Sequence, residues 1–146
     1  MNTVPVVAAI DDQAALEAVV AEALELARAK GASDAEAGAS TQTGLSVTVR
    51  LGAIETLEYQ RDRGLGVTVY FGKRKGSAST SDLSRPAITD TVDKACSIAR
   101  FTAEDDCAGL PDAERLARNY PNLDLAHPWA IEPERAIELA RSCEAT

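Results

Sequence analysis

The sequence has 146 residues, of which 45% are hydrophobic but only 4% are aromatic, and its formal net charge is −8. This length suits one domain with a core, and that core must be built mainly from Ala, Val, Leu and Ile. The negative charge argues against a dedicated nucleic-acid binder, which normally carries a basic face.

Neither a membrane span nor a secretion signal is predicted. No apolar run approaches the ~18 residues needed to cross a bilayer. Residues 4–10 form a short apolar run that Pro5 interrupts and no basic segment precedes. The three cysteines, Cys96, Cys107 and Cys143, are odd in number and form no Cys-x-x-Cys pair, which indicates reduced thiols. The sequence therefore predicts a cytoplasmic protein.

The first regular element is a predicted amphipathic helix. Asp11 or Asp12 is suited to cap its start, and Gly31 is suited to end it. Apolar residues recur between these positions at helical spacing, at Leu16, Val20, Ala23 and Ala27. We expect this helix to pack on a sheet.

The chain then alternates between apolar and polar residues, as strands with one buried face do. Residues 34–39 predict a first strand, residues 45–51 a second and residues 54–60 a third. Ile54 is out of phase with Leu57, which a bulge or a mixed face would explain.

The central feature is a predicted hairpin that follows a turn at residues 61–64. Its first strand is residues 65–71, and a glycine-flanked basic loop of about five residues, 72–76, turns the chain back. The return strand, residues 77–81, is small and polar. Such a strand stays in a sheet only if neighbours hold it or another backbone approaches it closely.

Ser84 predicts the start of a second helix, because proline at position 86 suits a first helical turn. This helix should run to about Phe101. The elements together predict an α+β fold, with a mostly antiparallel sheet of about four to five strands and two principal helices packed on it.

Beyond Thr102, recurring prolines predict an extended connector with a short helix at residues 112–118. A helical pattern resumes near Pro133 and stops abruptly at Thr146. We therefore expect residues 1–110 to form an α+β domain. Residues 111–146 would be a connector and the start of a truncated helical segment that leads to an absent carboxyl-terminal domain.

Few residues could carry chemistry. Metal-dependent hydrolysis needs two or three clustered ligands, and the one histidine, His127, is interpreted as a surface or domain-contact residue. Cys96 is expected in the core, and Cys107 lies in an acidic loop that favours a solvated turn over a cation site. We predict no catalytic residue and no metal ligand in this chain.

An ordered set of residues resembles the amino-terminal region of the TldD/PmbA family. The central matches are residues 64–70 (GLGVTVY), 74–80 (RKGSAST) and 82–84 (DLS). Further matches are residues 95, 98–100, 102, 104–105 and 107–112, with weaker ones at 123–125 and 127–128. The resemblance is closer to the PmbA branch, also called TldE, because Thr68 stands where the TldD branch tends to carry arginine.

This resemblance implies a subunit that pairs with a TldD-like catalytic subunit to form a zinc metallopeptidase acting on unfolded or peptide-like substrates. The zinc would belong to the partner, and this chain would hold no cofactor. The family is also associated with modulation of DNA gyrase, which we interpret as indirect, so no direct contact with nucleic acid or membrane is expected.

Three sets of residues are candidates for a site around the hairpin. The return strand could pair with a peptide substrate through Ser77, Ser79, Thr80 and Ser81. Basic residues could dock a partner or a peptide carboxylate, at Arg61, Arg63, Lys73, Arg74 and Lys75. Glycines with structural roles are predicted at Gly64, Gly66, Gly72 and Gly76. The alternative function is a non-enzymatic module that binds an acidic protein or nucleic acid through the basic hairpin ends.

Overall fold

The computed structural model describes residues 13–119, 121–125, 127 and 129–145. The helices and strands follow in the order α1 (Gln13–Ala29), β1 (Asp34–Arg50), β2 (Ala53–Phe71), β3 (Arg74–Thr80), α2 (Arg85–Phe101) and α3 (Pro133–Glu144). The strands form an antiparallel sheet in the order β1-β2-β3. The α+β class is thus confirmed. No helix in the described ranges is long and apolar enough to cross a membrane.

The described part of the sheet has three strands, so the prediction of four to five was wrong. The expected first and second strands are one strand, β1, and the expected third strand continues through residues 61–64 into β2. Residues 40–44 and 61–64 are polar and contain glycine, a composition that is typical of breaks between strands. Backbone pairing between two long strands does not depend on side-chain polarity, so the ladder continues through both stretches.

The predicted helices were confirmed with small differences at their ends. Gly31 adopts a φ of +84° just beyond α1, as a helix-ending glycine does, whereas Asp11 and Asp12 lie outside the described residues. Helix α2 begins after Ser84, although the Ser84 side chain makes no capping hydrogen bond. The short helix expected at residues 112–118 is a single 3-10 turn, Ala113–Arg115.

The chain divides into two compact units. The helix–sheet unit comprises the described residues of 13–40 and 63–122, and the hairpin unit comprises those of 41–62 and 123–145. Every buried residue of the described ranges belongs to the helix–sheet unit. Its core is aliphatic, as the composition predicted, and consists of Ala23, Ala27, Leu65, Val67, Val69, Ile88, Val92, Ala95, Cys96 and Ala99.

Strand β3 packs directly on the backbone of α2 at Gly76. A Cβ atom built on Gly76 would lie 2.3 Å from the carbonyl oxygen of Ala95 and 2.4 Å from the backbone nitrogen of Ala99. Both are main-chain atoms of a buried helix, so neither can move aside as a flexible side chain could. The close approach therefore requires glycine at this position.

We expect Gly76→Ala to lower the free energy of unfolding by about 1–3 kcal/mol, the usual cost of overpacking a core. Urea denaturation would measure the change. Gly66→Ala is the matched control, because a Cβ there meets no atom within 4 Å. Equal stabilities of the two variants would contradict the close approach at Gly76.

In the hairpin unit, α3 holds the turn between β1 and β2. Leu51 and Gly52 have φ values of 53° and 75°, the two positive angles of a type I′ turn. The Glu144 carboxylate accepts hydrogen bonds from both backbone N–H groups, with the Gly52 bond at 2.8 Å. Arg141 Nε donates to the Gly52 carbonyl oxygen at 3.1 Å. These bonds stabilise a left-handed leucine whose side chain is 91% exposed.

Glu144→Ala should therefore accelerate amide hydrogen exchange at Leu51 and Gly52 several-fold, because both N–H groups lose their acceptor. NMR-detected exchange would measure both sites. Glu138→Ala is the control on the same helix, since Glu138 pairs with Arg135 instead. The role assigned to Glu144 is wrong if the two variants exchange at the same rate.

Candidate functional site

The helices of the helix–sheet unit cover one face of the sheet, and the other face carries the candidate site. Gly76 and Ala78 of β3 pack towards the core, whereas the alternating residues Ser77 and Ser79 are exposed. We call this second face the open face; its residues are Glu36, Gly66, Thr68, Tyr70, Lys75, Ser77 and Ser79. Gly66, Thr68, Ser77 and Ser79 are small, so the surface is low along this part of β2 and β3, whereas Glu36, Tyr70 and Lys75 are the larger residues of the face.

The register of β2 and β3 arranges the open face in rows. Tyr70 lies opposite Lys75, Thr68 opposite Ser77, and Gly66 opposite Ser79. The hydroxyl oxygens of Thr68 and Ser77 are 2.9 Å apart and share a hydrogen bond. Such cross-strand polar pairs stabilise a sheet modestly, and this one aligns the edge strand without a bulky side chain.

Tyr70 lies at the end of the open face nearest the β2–β3 turn. Its side chain is 5% exposed, and its hydroxyl donates a 3.0 Å hydrogen bond to Glu36 Oε1. Burial raises the pKa of Tyr70 above the ordinary value of 10.0, and the hydrogen bond and the negative charges of Glu36 and Asp34 raise it further. The phenol therefore remains a neutral hydrogen-bond donor at physiological pH.

This shift predicts a pH effect on stability. The folded chain holds the Tyr70 proton more tightly than the unfolded chain does, so the stabilisation is complete below pH ~10 and is lost as pH rises through the raised pKa. We expect the free energy of unfolding of the wild type to fall more steeply above pH ~10 than that of Tyr70→Phe. Urea denaturation across this range tests the expectation, and parallel curves would contradict it.

The β2–β3 turn is shorter than predicted. It comprises two residues, Gly72 and Lys73, and Phe71 pairs with Arg74 immediately outside it. Gly72 has a φ of +62° and Lys73 is not among the residues with positive φ, which defines a type II′ turn. The expected five-residue loop was wrong because this turn matches the twist of the flanking strands and lets pairing begin at once.

This register determines which backbone groups of β3 face outwards. In a two-residue hairpin the pair beside the turn exchanges hydrogen bonds, and bonded pairs then alternate with non-bonded pairs. The N–H and C=O groups of Lys75, Ser77 and Ser79 therefore point away from β2. No backbone bond beyond the ladder involves these three residues in the described part of the chain. We call these groups the free edge of β3.

The four residues predicted to bind substrate occupy different positions. Ser77 and Ser79 lie together on the open face and belong to the free edge. Thr80 is half-buried on the core side, and its hydroxyl accepts a 3.1 Å hydrogen bond from the Asp82 N–H. Ser81 is exposed beyond the end of β3. Only the two serines thus share a surface.

The basic residues predicted to dock a partner do not form one cluster. Lys73 Nζ donates to the Ala108 carbonyl oxygen at 3.1 Å. Arg74 donates to Glu104 Oε1 at 3.4 Å and to the Arg100 carbonyl oxygen at 3.3 Å. Both side chains therefore fasten the segment after α2 to the turn.

The other basic residues lie elsewhere on β2. Arg63 is eight positions before Phe71, which separates it from the turn by about 26 Å along an extended strand. Its charge instead helps to lower the pKa of Asp82, a shift caused chiefly by hydrogen bonds from Ser84. Arg61 belongs to the hairpin unit.

Sequence reasoning missed Glu36, Thr68 and Tyr70. Thr68 and Tyr70 alternate with buried valines, so their shared face could have been read from the pattern. The contact with Glu36 depends on pairing across β1 and β2, which no local pattern reveals.

The described residues bring together no three His, Cys, Asp or Glu side chains that could hold a metal ion. These described residues therefore do not fit a zinc ion. His127 is exposed, as are Cys107 and Cys143. Cys96 lies in the core, as predicted, and burial raises the pKa of its thiol.

These features define a class: an α+β domain with helices on one face of a small antiparallel sheet and a free strand edge beside its open face. Residues 35–99 match the family model described as PmbA/TldA metallopeptidase domain 1. The chain is 50% identical over 129 residues to the metalloprotease PmbA of Escherichia coli O157:H7. It is 46% identical over 129 residues to the PmbA homologue of Haemophilus influenzae. The chain therefore belongs to the TldD/PmbA family.

Each of these two alignments covers 88% of this chain but only 28% of the relative, so the chain spans about a quarter of their length. Two crystal structures share its fold. One is a candidate modulator of DNA gyrase from Bacteroides thetaiotaomicron, with a TM-score of 0.77, 23% identity and coverage of 86% of this chain and 29% of that one. The other is TldE from Thermococcus kodakarensis, with a TM-score of 0.59, 16% identity and coverage of 90% and 30%.

Proposed function

We propose that this chain is the amino-terminal, substrate-cavity domain of a PmbA/TldE-like subunit in a TldD/TldE-type zinc metallopeptidase that processes unfolded peptides. The observation that carries the proposal is the free edge of β3 beside a low, polar face, in a chain of the TldD/PmbA family. An extended peptide can add to such an edge as a further strand, with main-chain hydrogen bonds providing most of the recognition.

The structure supports this role in two ways. Three successive outward-facing positions, Lys75, Ser77 and Ser79, offer main-chain donors and acceptors in the spacing of a strand. The residues opposite Ser79 and Ser77 are Gly66 and Thr68, so no bulky side chain stands beside this part of the edge. The contact of Gly76 with α2 holds β3 in place, so the edge is ordered before a guest binds and little entropy is lost on binding.

We infer the remaining features of the complex from the resemblance to the family. The zinc ion and the catalytic residues would belong to a TldD-like partner subunit in the cytoplasm, and any effect on DNA gyrase would be indirect. Residues 1–110 would form the cavity domain, and residues 111–146 would connect it to a further domain.

The alternative, a non-enzymatic module for acidic proteins or nucleic acid, relies on the basic residues near the hairpin. Lys73 and Arg74 already bind groups of this chain, and Arg63 lies far from both along β2. We therefore favour peptide binding through the free edge.

A proline at position 79 tests the proposal. The Ser79 N–H points away from β2, so Ser79→Pro should remove one edge donor without breaking the ladder. Ser79→Ala is the matched control, because it removes the hydroxyl and keeps the N–H. We expect a fluorescein-labelled, end-capped peptide of alternating Thr and Val to bind the wild type and Ser79→Ala alike, measured by fluorescence anisotropy, and to bind Ser79→Pro at least several-fold more weakly.

Circular dichroism and thermal melting would show that both variants fold. Equal peptide binding by the two folded variants would contradict strand addition at β3. The same titration at rising salt separates the alternative, because binding that relies on phosphate contacts weakens steeply with salt and main-chain pairing does not.

A further inference from the structure

Lys75 differs from the other two cations at the β2–β3 turn. Lys73 and Arg74 bind groups of this chain. In the described ranges Lys75 makes no hydrogen bond or ion pair, and its side chain is exposed on the open face. The Glu36 carboxylate, at the same end of that face, accepts the Tyr70 hydroxyl and forms no ion pair with Lys75.

The charge of Lys75 is placed where a guest strand would run. Its backbone belongs to the free edge, and its side chain stands on the same face as those of Ser77 and Ser79. Of these three edge positions only Lys75 is charged, so one end of the edge is positive and the rest is neutral. A guest peptide that complements this pattern has an acidic side chain at one position and neutral side chains at the others.

We propose that the free edge of β3 selects extended peptides that carry a carboxylate opposite Lys75 and uncharged side chains opposite Ser77 and Ser79. This inference rests on the proposed function and adds to it a substrate class and a register. The guest runs antiparallel to β3, because that geometry lets each edge residue exchange both of its hydrogen bonds with one guest residue. The carboxylate then lies four residues after the guest residue that faces Ser79.

Opposite charges on directly paired strand residues attract, and at an exposed site the effect is modest. We expect the correctly placed carboxylate to strengthen binding about two- to five-fold at low salt. The gain should fall as salt rises, because exposed charges are screened.

Two positional isomers test the register. Both are end-capped, fluorescein-labelled pentapeptides of the same composition and charge, one with the order Thr-Val-Thr-Val-Glu and the other Glu-Val-Thr-Val-Thr. In the antiparallel register the first places Glu opposite Lys75 and the second opposite Ser79. We expect anisotropy titrations of the full chain to show tighter binding of the first peptide, by about two- to five-fold.

Charge reversal assigns the preference to Lys75. Lys75→Glu should invert it, so that Thr-Val-Thr-Val-Lys binds more tightly than Thr-Val-Thr-Val-Glu. Lys94→Glu is the matched control, since Lys94 lies on α2 and pairs with Asp90; it makes the same change in net charge and should retain the wild-type preference.

The outcomes separate this inference from the function on which it rests. If both isomers bind equally and Ser79→Pro weakens both, the edge binds peptides but the selection by Lys75 is wrong. If the second isomer binds more tightly, or if Lys94→Glu inverts the preference as Lys75→Glu does, the selection is also wrong. If neither isomer binds the folded wild type, the proposed peptide-binding function fails and the selection fails with it.

Discussion

Helix α2 lies against strand β3 at a distance that only glycine permits at position 76. The strand contributes almost no apolar side chain to the core, so it cannot be held by burial of its own residues. Instead the backbones of β3 and α2 approach until the carbonyl oxygen of Ala95 and the nitrogen of Ala99 occupy the space a side chain would need. The alanines at these two positions are small enough to allow the same approach from the helix side.

This contact explains how an edge strand can be both ordered and polar. An exposed edge ordinarily risks uncontrolled pairing with other chains, and many proteins protect theirs with bulges, prolines or covering loops. Here β3 is short, and its outward positions are serines and a lysine, which lowers the hydrophobic drive for aggregation. No backbone hydrogen bond from another described residue occupies the outward N–H and C=O groups of β3, and free main-chain groups on an ordered strand are what strand addition by a peptide uses.

The loop after α2 makes a second contribution. Lys73 and Arg74, at the turn and at its first paired position, bind carbonyl and carboxylate groups of residues 100–108. The Asp105 N–H donates in return to the Lys73 carbonyl oxygen at 3.0 Å. Two of the residues predicted to form a basic docking patch, Lys73 and Arg74, thus anchor the chain to itself. Their neighbour Lys75 forms no ion pair with any described residue.

Local sequence determined the helices, the aliphatic core and the family, because helical spacing, a helix-ending glycine and an ordered set of family-matching residues are encoded over short distances. The number of strands, the two-residue turn and the partner of each basic side chain were decided only in the tertiary structure. Backbone pairing between long strands overrides polar stretches, and the free energy of an ion pair depends on which distant carboxylate or carbonyl the fold brings near. Gly76 illustrates the difference. The sequence shows that a glycine stands there, but only the tertiary structure shows that the backbone of α2 packs against it.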